Sequence, residues 1–263
     1  MKDILVTGAY GGMGKAFISR MAKNGYRVFA LDKRVEAPTE HIIPVAADIT
    51  SSESIEDAVR TVGEYTKCLF AVVHFAGIYQ LDSLVEMTDE AFSQILAVNF
   101  RGAYLVNRLF LPFLGKGSRI LVTTSELATL DPLPFTGIYA VTKAALDKYA
   151  YSLAMELQLL GISVSVLRAG AVETGMLGVS TAALARFCEN TALYSCNATR
   201  FKAIVDKVEA RSITPEKLAK KAERILHKKR PAFGYSINRN PLLVLLNLLP
   251  KRLQLWIIKL ILK

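Results

Sequence analysis

Short apolar runs alternate along the chain with longer segments whose apolar residues recur every three or four positions. The runs are rich in Val, Ile and Leu and alternate little with polar residues, which is typical of parallel strands covered on both faces. Pro44 lies within the third run and favours an edge or a bulge, because proline donates no ladder hydrogen bond. Strands are predicted at residues 3–7, 26–31, 41–46, 69–75, 119–124 and 162–167.

The segments between the strands predict helices. Thr50, Ser51 and Ser52 are suitable N-caps for the second helix, and Gly161 is a suitable C-cap for the last. The alternation implies right-handed crossovers and a doubly wound parallel sheet with helices on both faces, an α/β Rossmann fold in a single domain over residues 1–240. Helices are predicted at residues 12–24, 53–62, 89–114 and 138–160.

Residues 176–212 interrupt this alternation with a polar segment of helical pattern after the sixth strand. Ligands of open α/β sheets bind beyond the carboxyl ends of the strands, so an insertion at this point is predicted to cap a substrate. An ordinary pair of surface helices is the alternative.

The composition narrows the class of protein. With 52% hydrophobic residues in 263, the chain is not a disordered one, which would lack the apolar surface that offsets ordering entropy. Cys68, Cys188 and Cys196 form neither a CxxC pair nor a Cys/His cluster, which argues against a disulfide framework and against a metal site. The first residues are typical of a strand and not of a signal peptide, so a cytoplasmic location is expected.

The net charge of +10 is confined to one segment. Residues 212–263 contain twelve Lys and Arg and two Glu, so residues 1–211 sum to zero. This asymmetry predicts an anionic surface or ligand near the end of the chain. Nucleic acid is disfavoured as a partner, because the charges lie on an apolar tail without aromatic platforms for bases.

A glycine-rich segment, GAYGGMG at residues 8–14, joins the first strand to the first helix. Glycine allows a tight turn and a close approach of backbone to a pyrophosphate, and the helix N-terminus offers unpaired N–H groups. This strand–turn–helix context predicts a dinucleotide site at Gly8, Tyr10, Gly12, Met13 and Gly14.

Asp32 ends the second strand and is placed to accept hydrogen bonds from a ribose diol. Its carboxylate would repel a 2′-phosphate, which favours NAD over NADP. Lys33 and Arg34 follow at once and could hold that phosphate, so NADP stays the less favoured alternative.

Two further loops are predicted to touch the cofactor. Asp48 and Ile49 follow the third strand, where Asp48 meets either an adenine amino group or, as its alternative, the N-terminus of the next helix. Ala76 and Gly77 follow the fourth strand and would let the cofactor lie close to the backbone.

Tyr139 and Lys143 stand four residues apart at the start of a predicted helix, so they share one face. An adjacent ammonium stabilises a phenolate and lowers the tyrosine pKa, which suits proton exchange with an alcohol or alkoxide. Ser125, after the fifth strand, could polarise a substrate carbonyl. Asn99 lies inside a long helical segment, where asparagine is mildly unfavourable, which suggests a role in holding a lysine or a water.

These motifs resemble those of the short-chain dehydrogenase/reductase family. Thr7-Gly8-x-x-x-Gly12-x-Gly14 matches its cofactor signature, and Ala76-Gly77 matches the end of its Asn-Asn-Ala-Gly motif. Asn99, Ser125, Tyr139 and Lys143 match its catalytic set, and Gly170-x-x-x-Thr174 matches a motif after the sixth strand. The matches run in order over residues 2–240.

The resemblance implies a role for each residue. Tyr139 would be the general acid/base, Ser125 would orient the carbonyl, and Lys143 would bind the nicotinamide ribose and lower the Tyr139 pKa. Asn99 would anchor a water that relays protons to Lys143. Val172 and Thr174 would touch the carboxamide end of the cofactor.

The chain departs from the family pattern at three places. His74-Phe75 replaces the Asn-Asn pair, and His74 is interpreted as a structural, hydrogen-bonded residue and not as a second base. Ala169 replaces a proline before Gly170. Ser125 stands 14 residues before Tyr139, where 13 is usual, and Glu126 takes the usual place. A one-residue insertion in the loop 130–134 would explain this, and ionised glutamate is no donor, so Ser125 is retained.

The tail, residues 241–263, is apolar and basic. Its longest uncharged run, residues 240–250, is shorter than the about 20 residues that a membrane span needs. After Pro250, basic residues alternate with Leu, Trp and Ile, as in an interfacial helix that makes peripheral membrane contact. A lid over the substrate cleft and a packing surface for a second subunit are the alternatives.

The hypothesis from sequence is an NAD(H)-dependent oxidoreductase that interconverts a secondary alcohol and a ketone. By resemblance, its small apolar substrate would be steroid-, retinoid- or fatty-like, and the protein would be a homodimer or homotetramer. The alternatives are an NADP-dependent 3-oxoacyl or carbonyl reductase and a non-catalytic dinucleotide-binding regulator at a membrane.

Overall fold

A computed structural model describes residues 1–209 and 211–263, with the side chains of 175–182 and 207–210 outside the description. Its strands are β1 (Lys2–Thr7), β2 (Tyr26–Asp32), β3 (Ile42–Ala46), β4 (Ala71–His74), β5 (Arg119–Ser125), β6 (Ser163–Ala169) and β7 (Gly234–Ile237). They form a parallel sheet in the order β3-β2-β1-β4-β5-β6-β7. The predicted doubly wound fold is confirmed.

The six predicted strands are present with small differences at their ends, and the sheet extends by one strand more. Pro44 lies on β3 and pairs with Ala30 of β2. β3 is an edge strand, as predicted. β7 has no counterpart among the predicted strands because its four residues, GYSI, are half exposed and carry one strong apolar residue. β7 pairs in parallel with β6 at the opposite edge.

Helices cover both faces of the sheet because successive strand residues point to opposite sides. On one side, the core includes Leu5 and packs against α2 (Ser52–Tyr65), α4 (Gly102–Phe110) and α5 (Gly137–Leu157). On the other side, Ile4 and Val6 pack with α1 (Gly12–Lys23) and α8 (Pro215–Leu226). The predicted caps are confirmed: the Ser51 hydroxyl accepts the Ser54 N–H, and Gly161 ends the turn after α5 in the left-handed conformation, at φ +74°.

The long helix predicted at 89–114 is instead a series of pieces. α3 (Asp89–Leu96) leads through a π-helical turn (Ala97–Arg101) into α4, which ends in a 3₁₀ turn (Leu111–Phe113). Periodicity alone misses such a turn because one extra residue shifts the helical register without interrupting it. π-helical turns are frequent at functional sites, and Asn99 lies at the centre of this one.

The segment predicted to cap the substrate contains α6 (Gly175–Asn190) and α7 (Ser195–Glu209). Within that prediction, residue 210 and the side chains of 176–182 and 207–210 lie outside the described part of the chain. The tail forms α9 (Pro241–Asn247) and α10 (Lys251–Leu262). Leu184, Phe187, Phe201 and Leu262 belong to a third apolar cluster, which joins α6 and α7 to α10.

Candidate active site

The candidate residues lie at the carboxyl ends of the strands, where an open α/β sheet binds its ligands. Each loop that leaves a strand contributes to one of two adjoining cavities. The residues that line both cavities are Met13, Phe75, Gly77, Ile78, Tyr79 and Thr174.

The larger cavity, of about 840 Å³, is a cleft across the first four strands. Of the residues predicted to bind a cofactor, it brings together Gly8, Tyr10, Gly12, Met13, Gly14, Asp32, Asp48, Ile49, Ala76, Gly77 and Thr174. Lys143 and Val172 line the smaller cavity instead. The predicted residues are therefore distributed along one continuous groove.

The glycine turn between β1 and α1 has the geometry of a phosphate cradle. Gly8 adopts φ +65°, and a Cβ on it would lie 2.5 Å from the amide nitrogen of Ala76. α1 begins after Gly11, which supplies no side-chain cap, and its first turn contains no acid. The N–H groups and the positive dipole end of α1 are thus directed at the cleft and suit a pyrophosphate.

Asp32 fixes this turn from the neighbouring strand. Its Oδ2 accepts the N–H of Tyr10 at 3.0 Å. A carboxylate oxygen has further lone pairs, so this bond leaves capacity for ribose hydroxyls. These observations make the cleft a fit for a dinucleotide.

Asp48 does not cap α2, so that alternative is wrong; Ser51 caps it. The Oδ1 of Asp48 accepts the N–H and the hydroxyl of Thr50, at 2.9 and 2.7 Å, and its Oδ2 pairs with Lys33 Nζ at 2.8 Å. Although burial opposes the charged form, the Lys33 and Thr50 hydrogen bonds hold the pKa of Asp48 below its ordinary value. Lys33 is thereby held beside an acid.

The smaller cavity, of about 190 Å³, brings Ser125, Tyr139 and Lys143 together. Tyr139 and Lys143 both lie on α5, and Lys143 Nζ is 5.6 Å from the centre of the Tyr139 ring. Ser125 ends β5, and its hydroxyl is hydrogen-bonded to Tyr139. Three different functional groups therefore converge on one largely apolar space.

The electrostatics differ from the expectation that Lys143 lowers the Tyr139 pKa. Burial raises the pKa of Tyr139 to about 12, although the bond with Ser125 opposes the rise. Burial also lowers the pKa of Lys143 to about 8. In the protein alone, the loss of water around each group determines the direction of both pKa shifts.

Asn99 connects the π-helical turn to the loop after β4. Its Oδ1 accepts the Ile78 N–H at 2.8 Å, and its Nδ2 donates to the Ile78 carbonyl at 2.9 Å and to the Thr142 hydroxyl at 3.1 Å. A Cβ on Gly77 would lie 3.3 Å from both Asn99 Oδ1 and Lys143 Nζ. Asn99 is thus buried beside the lysine, and it fixes the backbone that separates the two cavities.

The loop before α5 accommodates an unusual backbone at Phe135. This residue adopts φ +63°, a backbone conformation that residues other than glycine seldom take. Its ring packs on Phe187 and Phe201, with ring centres 4.7 and 5.5 Å away. The packing stabilises the strained residue and ties the loop that precedes Tyr139 to α6 and α7.

Several residues of the smaller cavity were not predicted as site residues. Glu126 is buried in its wall, where desolvation raises the pKa of the carboxyl, and Oε2 accepts the Asn240 N–H at 2.7 Å. Phe201, Val205 and Leu243 line the same cavity from α7 and α9. No local sequence motif identifies these three residues. The apolar tail is the signal that could have found Leu243, because a lid over the substrate cleft is one interpretation of that tail.

His74 is buried in β4 and belongs to the structural network below the site. Its Nε2 is hydrogen-bonded to Asn107 Oδ1 at 2.9 Å, and its Nδ1 lies 3.4 Å from the Thr7 hydroxyl. Burial lowers the His74 pKa to about 4 despite the Asn107 bond, so the ring is neutral at pH 7. The structural interpretation of His74 is confirmed.

Val172 and Thr174 follow β6 at the junction of the cavities. Val172 is buried and forms a parallel bridge with Ile213. Thr174 packs against Gly12, where a Cβ would lie 2.6 Å from the threonine Cβ. Gly12 therefore permits the contact between the β1 and β6 loops.

Comparison with known proteins assigns the chain to a family. A model of the family described as short chain dehydrogenase matches residues 2–185. Estradiol 17-beta-dehydrogenase 2 of Mus musculus is 35% identical over 191 residues, which cover 67% of this chain and 50% of the mouse protein. The chain thus spans about half the length of that relative and of its rat counterpart.

A relative of similar length is 3-ketodihydrosphingosine reductase from Bacteroides thetaiotaomicron. It is 24% identical over 231 residues, which cover 88% of this chain and 85% of the relative. A short chain dehydrogenase family protein from Francisella tularensis superposes with a TM-score of 0.76 at 20% identity, over 90% of this chain and 97% of that one. A 3-ketoacyl-(acyl-carrier-protein) reductase from Brucella melitensis, complexed with NADH, superposes with a TM-score of 0.73 at 22% identity, over 90% of this chain and 96% of that one. The solved structures share the fold.

Proposed function

The chain belongs to the short-chain dehydrogenase/reductase family, and from this premise we propose that it is an NAD(H)-dependent oxidoreductase. It interconverts a secondary alcohol and a ketone on an apolar substrate. The observation that carries the proposal is that Ser125, Tyr139 and Lys143 line a cavity that adjoins a dinucleotide-sized cleft.

The proton chemistry follows from the protonation states of the site. With a pKa of about 12, Tyr139 carries its proton at pH 7 and can donate it to the oxygen of a ketone as that oxygen gains charge. Ser125 donates a second hydrogen bond to the same oxygen and holds the carbonyl against the phenol. The nicotinamide supplies the hydride for reduction and accepts it for oxidation.

Lys143 and Asn99 prepare the phenol. A protonated Lys143 stabilises the phenolate that forms when Tyr139 releases its proton, and it is placed to bind a ribose hydroxyl at the cavity junction. Asn99 holds the Gly77–Ile78 backbone and anchors a water that returns a proton to the lysine. Since the pKa of Lys143 is about 8, we expect ketone reduction to fall as the pH rises through that value.

NAD is the proposed cofactor. Gly8, Tyr10, Gly12, Met13 and Gly14 would hold the pyrophosphate, and Asp32 would accept hydrogen bonds from the ribose diol. Asp48 and Ile49 would contact the adenine, Ala76 and Gly77 would contact the adjoining ribose, and Val172 and Thr174 would contact the carboxamide. Two acids, Asp32 and Asp48, border the ribose position, and Lys33 is already paired with Asp48, so a 2′-phosphate meets an unfavourable charge.

NADP is the second candidate because Arg34 lines the cleft beside Lys33. A competitive titration distinguishes the two cofactors. Tighter binding of NADPH than of NADH would reject the argument from Asp32.

The substrate class follows from the cavity wall. Phe75, Leu133, Phe201, Val205 and Leu243 give it an apolar lining, which suits a steroid-, retinoid- or fatty-like alcohol. The names of two relatives, an estradiol dehydrogenase and a ketodihydrosphingosine reductase, agree with such a substrate. α6 and α7 form the cap.

Assembly and location complete the proposal. We expect a homodimer or homotetramer in the cytoplasm, in peripheral contact with a membrane through residues 241–263. Among the described residues, none of the helices has the length and apolar composition to cross a bilayer. Cys68, Cys188 and Cys196 are free thiols, which is compatible with a reducing compartment.

The direct test is turnover by the Tyr139→Phe variant. Hydroxysteroids, retinoids and medium-chain alcohols are screened with NAD and NADP, and the best substrate is then given to the variant. Loss of the phenol proton should lower kcat by about 10²–10⁴-fold while NADH still binds. Tyr151→Phe, an exposed position on the same helix, is the matched control. Full turnover by Tyr139→Phe would reject the mechanism, and NADH binding without turnover of any substrate would favour a regulator.

A further inference from the structure

The tail is folded against the substrate side of the molecule by one face of its helices. In α10, Gln254 and Leu262 are buried and Ile258 packs on the cluster that contains Phe201. The Asn197 side chain donates to the Leu262 carbonyl at 2.6 Å. The buried residues of α10 therefore recur every four positions, and they form an inward face that packs against the rest of the protein.

α9 is fixed by a polar contact at its end and by the cavity at its start. The Asp131 N–H donates to Asn247 Oδ1 at 2.6 Å, and the Asp131 carboxylate pairs with Lys251. Leu243 lines the smaller cavity, and Asn240 is held by Glu126. α9 is thus part of the outer wall of the proposed substrate cavity.

The outward face of the same helices is apolar and exposed. On α10, Leu253, Trp256 and Leu260 recur at helical spacing and are 40%, 59% and 66% exposed. On α9, Leu242 and Leu245 are 64% and 60% exposed. Large side chains grouped in this way mark an interaction surface, in contrast to apolar residues scattered singly.

A row of cations adjoins this apolar row on α10. Arg252, Lys259 and Lys263 are exposed and follow one another at helical spacing. Residues 241–263 contain no acid, so the tail itself does not offset the positive charge of this face. Lys251 is directed to Asp131 and is not counted in this row.

We propose that the outward face of α9 and α10 docks on an anionic lipid bilayer. Apolar side chains would enter the acyl boundary, Trp256 would lie at the interface, and the cations would meet lipid headgroups. A second copy of the chain is a poorer occupant, because pairing two such faces brings their cations together.

Docking in this orientation places the wall of the substrate cavity on the membrane. Leu243 faces the cavity, while Leu242 and Leu245 of the same short helix face outward. We infer that an apolar substrate enters from the bilayer past α9. The docking deepens the peripheral membrane contact proposed above and is independent of the proposed reaction, whereas the entry route rests on that reaction.

Trp256 is the sole tryptophan of the sequence, so its fluorescence reports on this surface alone. The full-length protein is mixed with vesicles of phosphatidylcholine, with or without phosphatidylglycerol. We expect a blue shift of the emission and about 10-fold stronger sedimentation with the anionic vesicles, decreasing as salt is added.

Two sets of variants separate the apolar and cationic contributions. The double variant Leu253→Asp/Leu260→Asp retains Trp256 and should abolish vesicle binding. The control is Leu159→Asp/Leu160→Asp, which changes two exposed leucines elsewhere and should leave vesicle binding intact. Replacing Arg252, Lys259 and Lys263 by Gln should remove the preference for anionic vesicles. The matched control replaces Lys217, Lys220 and Lys229 by Gln, which removes equal charge from α8 and the loop after it.

Absence of vesicle binding, or equal binding by the Leu253/Leu260 variant and the wild type, would overturn docking. So would a blue shift that depends on protein concentration without lipid and accompanies dimer formation in light scattering. None of these readouts requires turnover, so failure of docking is distinguishable from failure of the proposed reaction. The entry route is overturned if docking occurs but vesicles do not accelerate turnover of a membrane-dissolved alcohol.

Discussion

The cofactor side and the substrate side of the groove are constructed differently. On the cofactor side, most of the lining residues lie in loops that follow buried strands, and backbone approaches backbone where Gly8 meets Ala76. On the substrate side, side chains from α7 and α9 form part of the wall, and those of α7 pack in a cluster apart from the two sheet cores.

This difference separates two kinds of specificity. At Gly8 and Gly14 of the cradle a single added carbon atom has no space, because it would lie against backbone atoms. A wall of apolar side chains on peripheral helices can be repacked with modest loss of stability. We infer that the first region determines the cofactor and the second region determines the substrate.

The sharpest contrast is expected between Gly8→Ala and Gly25→Ala. Both glycines have positive φ, but a Cβ on Gly8 would strike the Ala76 backbone, whereas nothing lies within 4 Å of one on Gly25. Gly8→Ala should lower the unfolding free energy by about 2–4 kcal/mol and weaken NADH binding, and Gly25→Ala should cost about 1 kcal/mol. Urea titration with NADH binding measures both, and equal losses would contradict the cradle.

Lys143→Met should reduce turnover by about 100-fold while stabilising the fold at pH 7. The folded pKa of about 8 lies below the ordinary 10.5, so the charged lysine opposes folding at pH 7. Between these values the unfolded chain binds more protons, so wild-type stability rises with pH and the advantage of the variant disappears.

Urea titration at several pH values checks this trend. The expected difference at pH 7 is on the order of 1–3 kcal/mol. Lys148→Met, an exposed position on the same helix, should show no such trend. A less stable Lys143→Met protein would show that the ammonium is better solvated than its burial indicates.

Asp32→Ala should shift the preference from NADH toward NADPH. Removing the carboxylate relieves its repulsion of a 2′-phosphate and frees the ribose position, so the ratio of kcat/KM values should change by about 10-fold or more. Glu36→Gln removes an exposed acid that pairs with Lys15 and should leave the ratio unaltered. An unchanged ratio in the Asp32 variant would show that other groups discriminate between NADH and NADPH.

The smallest expected effect is that of Leu243→Ala on substrate affinity. Shortening this cavity-lining side chain should raise KM for an apolar alcohol by about 5–10-fold and leave NADH binding unchanged. Leu242→Ala, on the outward side of α9, is the control in the absence of lipid. If both variants behave alike, α9 does not contribute to substrate specificity.

Much of this protein follows from its sequence alone. The run DILVT followed by a glycine turn predicts a strand, a phosphate cradle and a helix, because each feature depends on neighbours in the chain. The same holds for the Ser51 cap and for Gly161. Tyr139 and Lys143 share a helical face for the same local reason, and the order of six strands predicts the sheet.

The tertiary structure decided what depends on distant segments. It decided that β7 joins the sheet, because four half-exposed residues become a strand only when β6 offers an edge. It placed Leu243 and Phe201 around Tyr139, and it raised the Tyr139 pKa where the sequence predicted a decrease. Burial is the common reason, since the water that a group loses is set by all the chain packed around it and not by its neighbours in sequence.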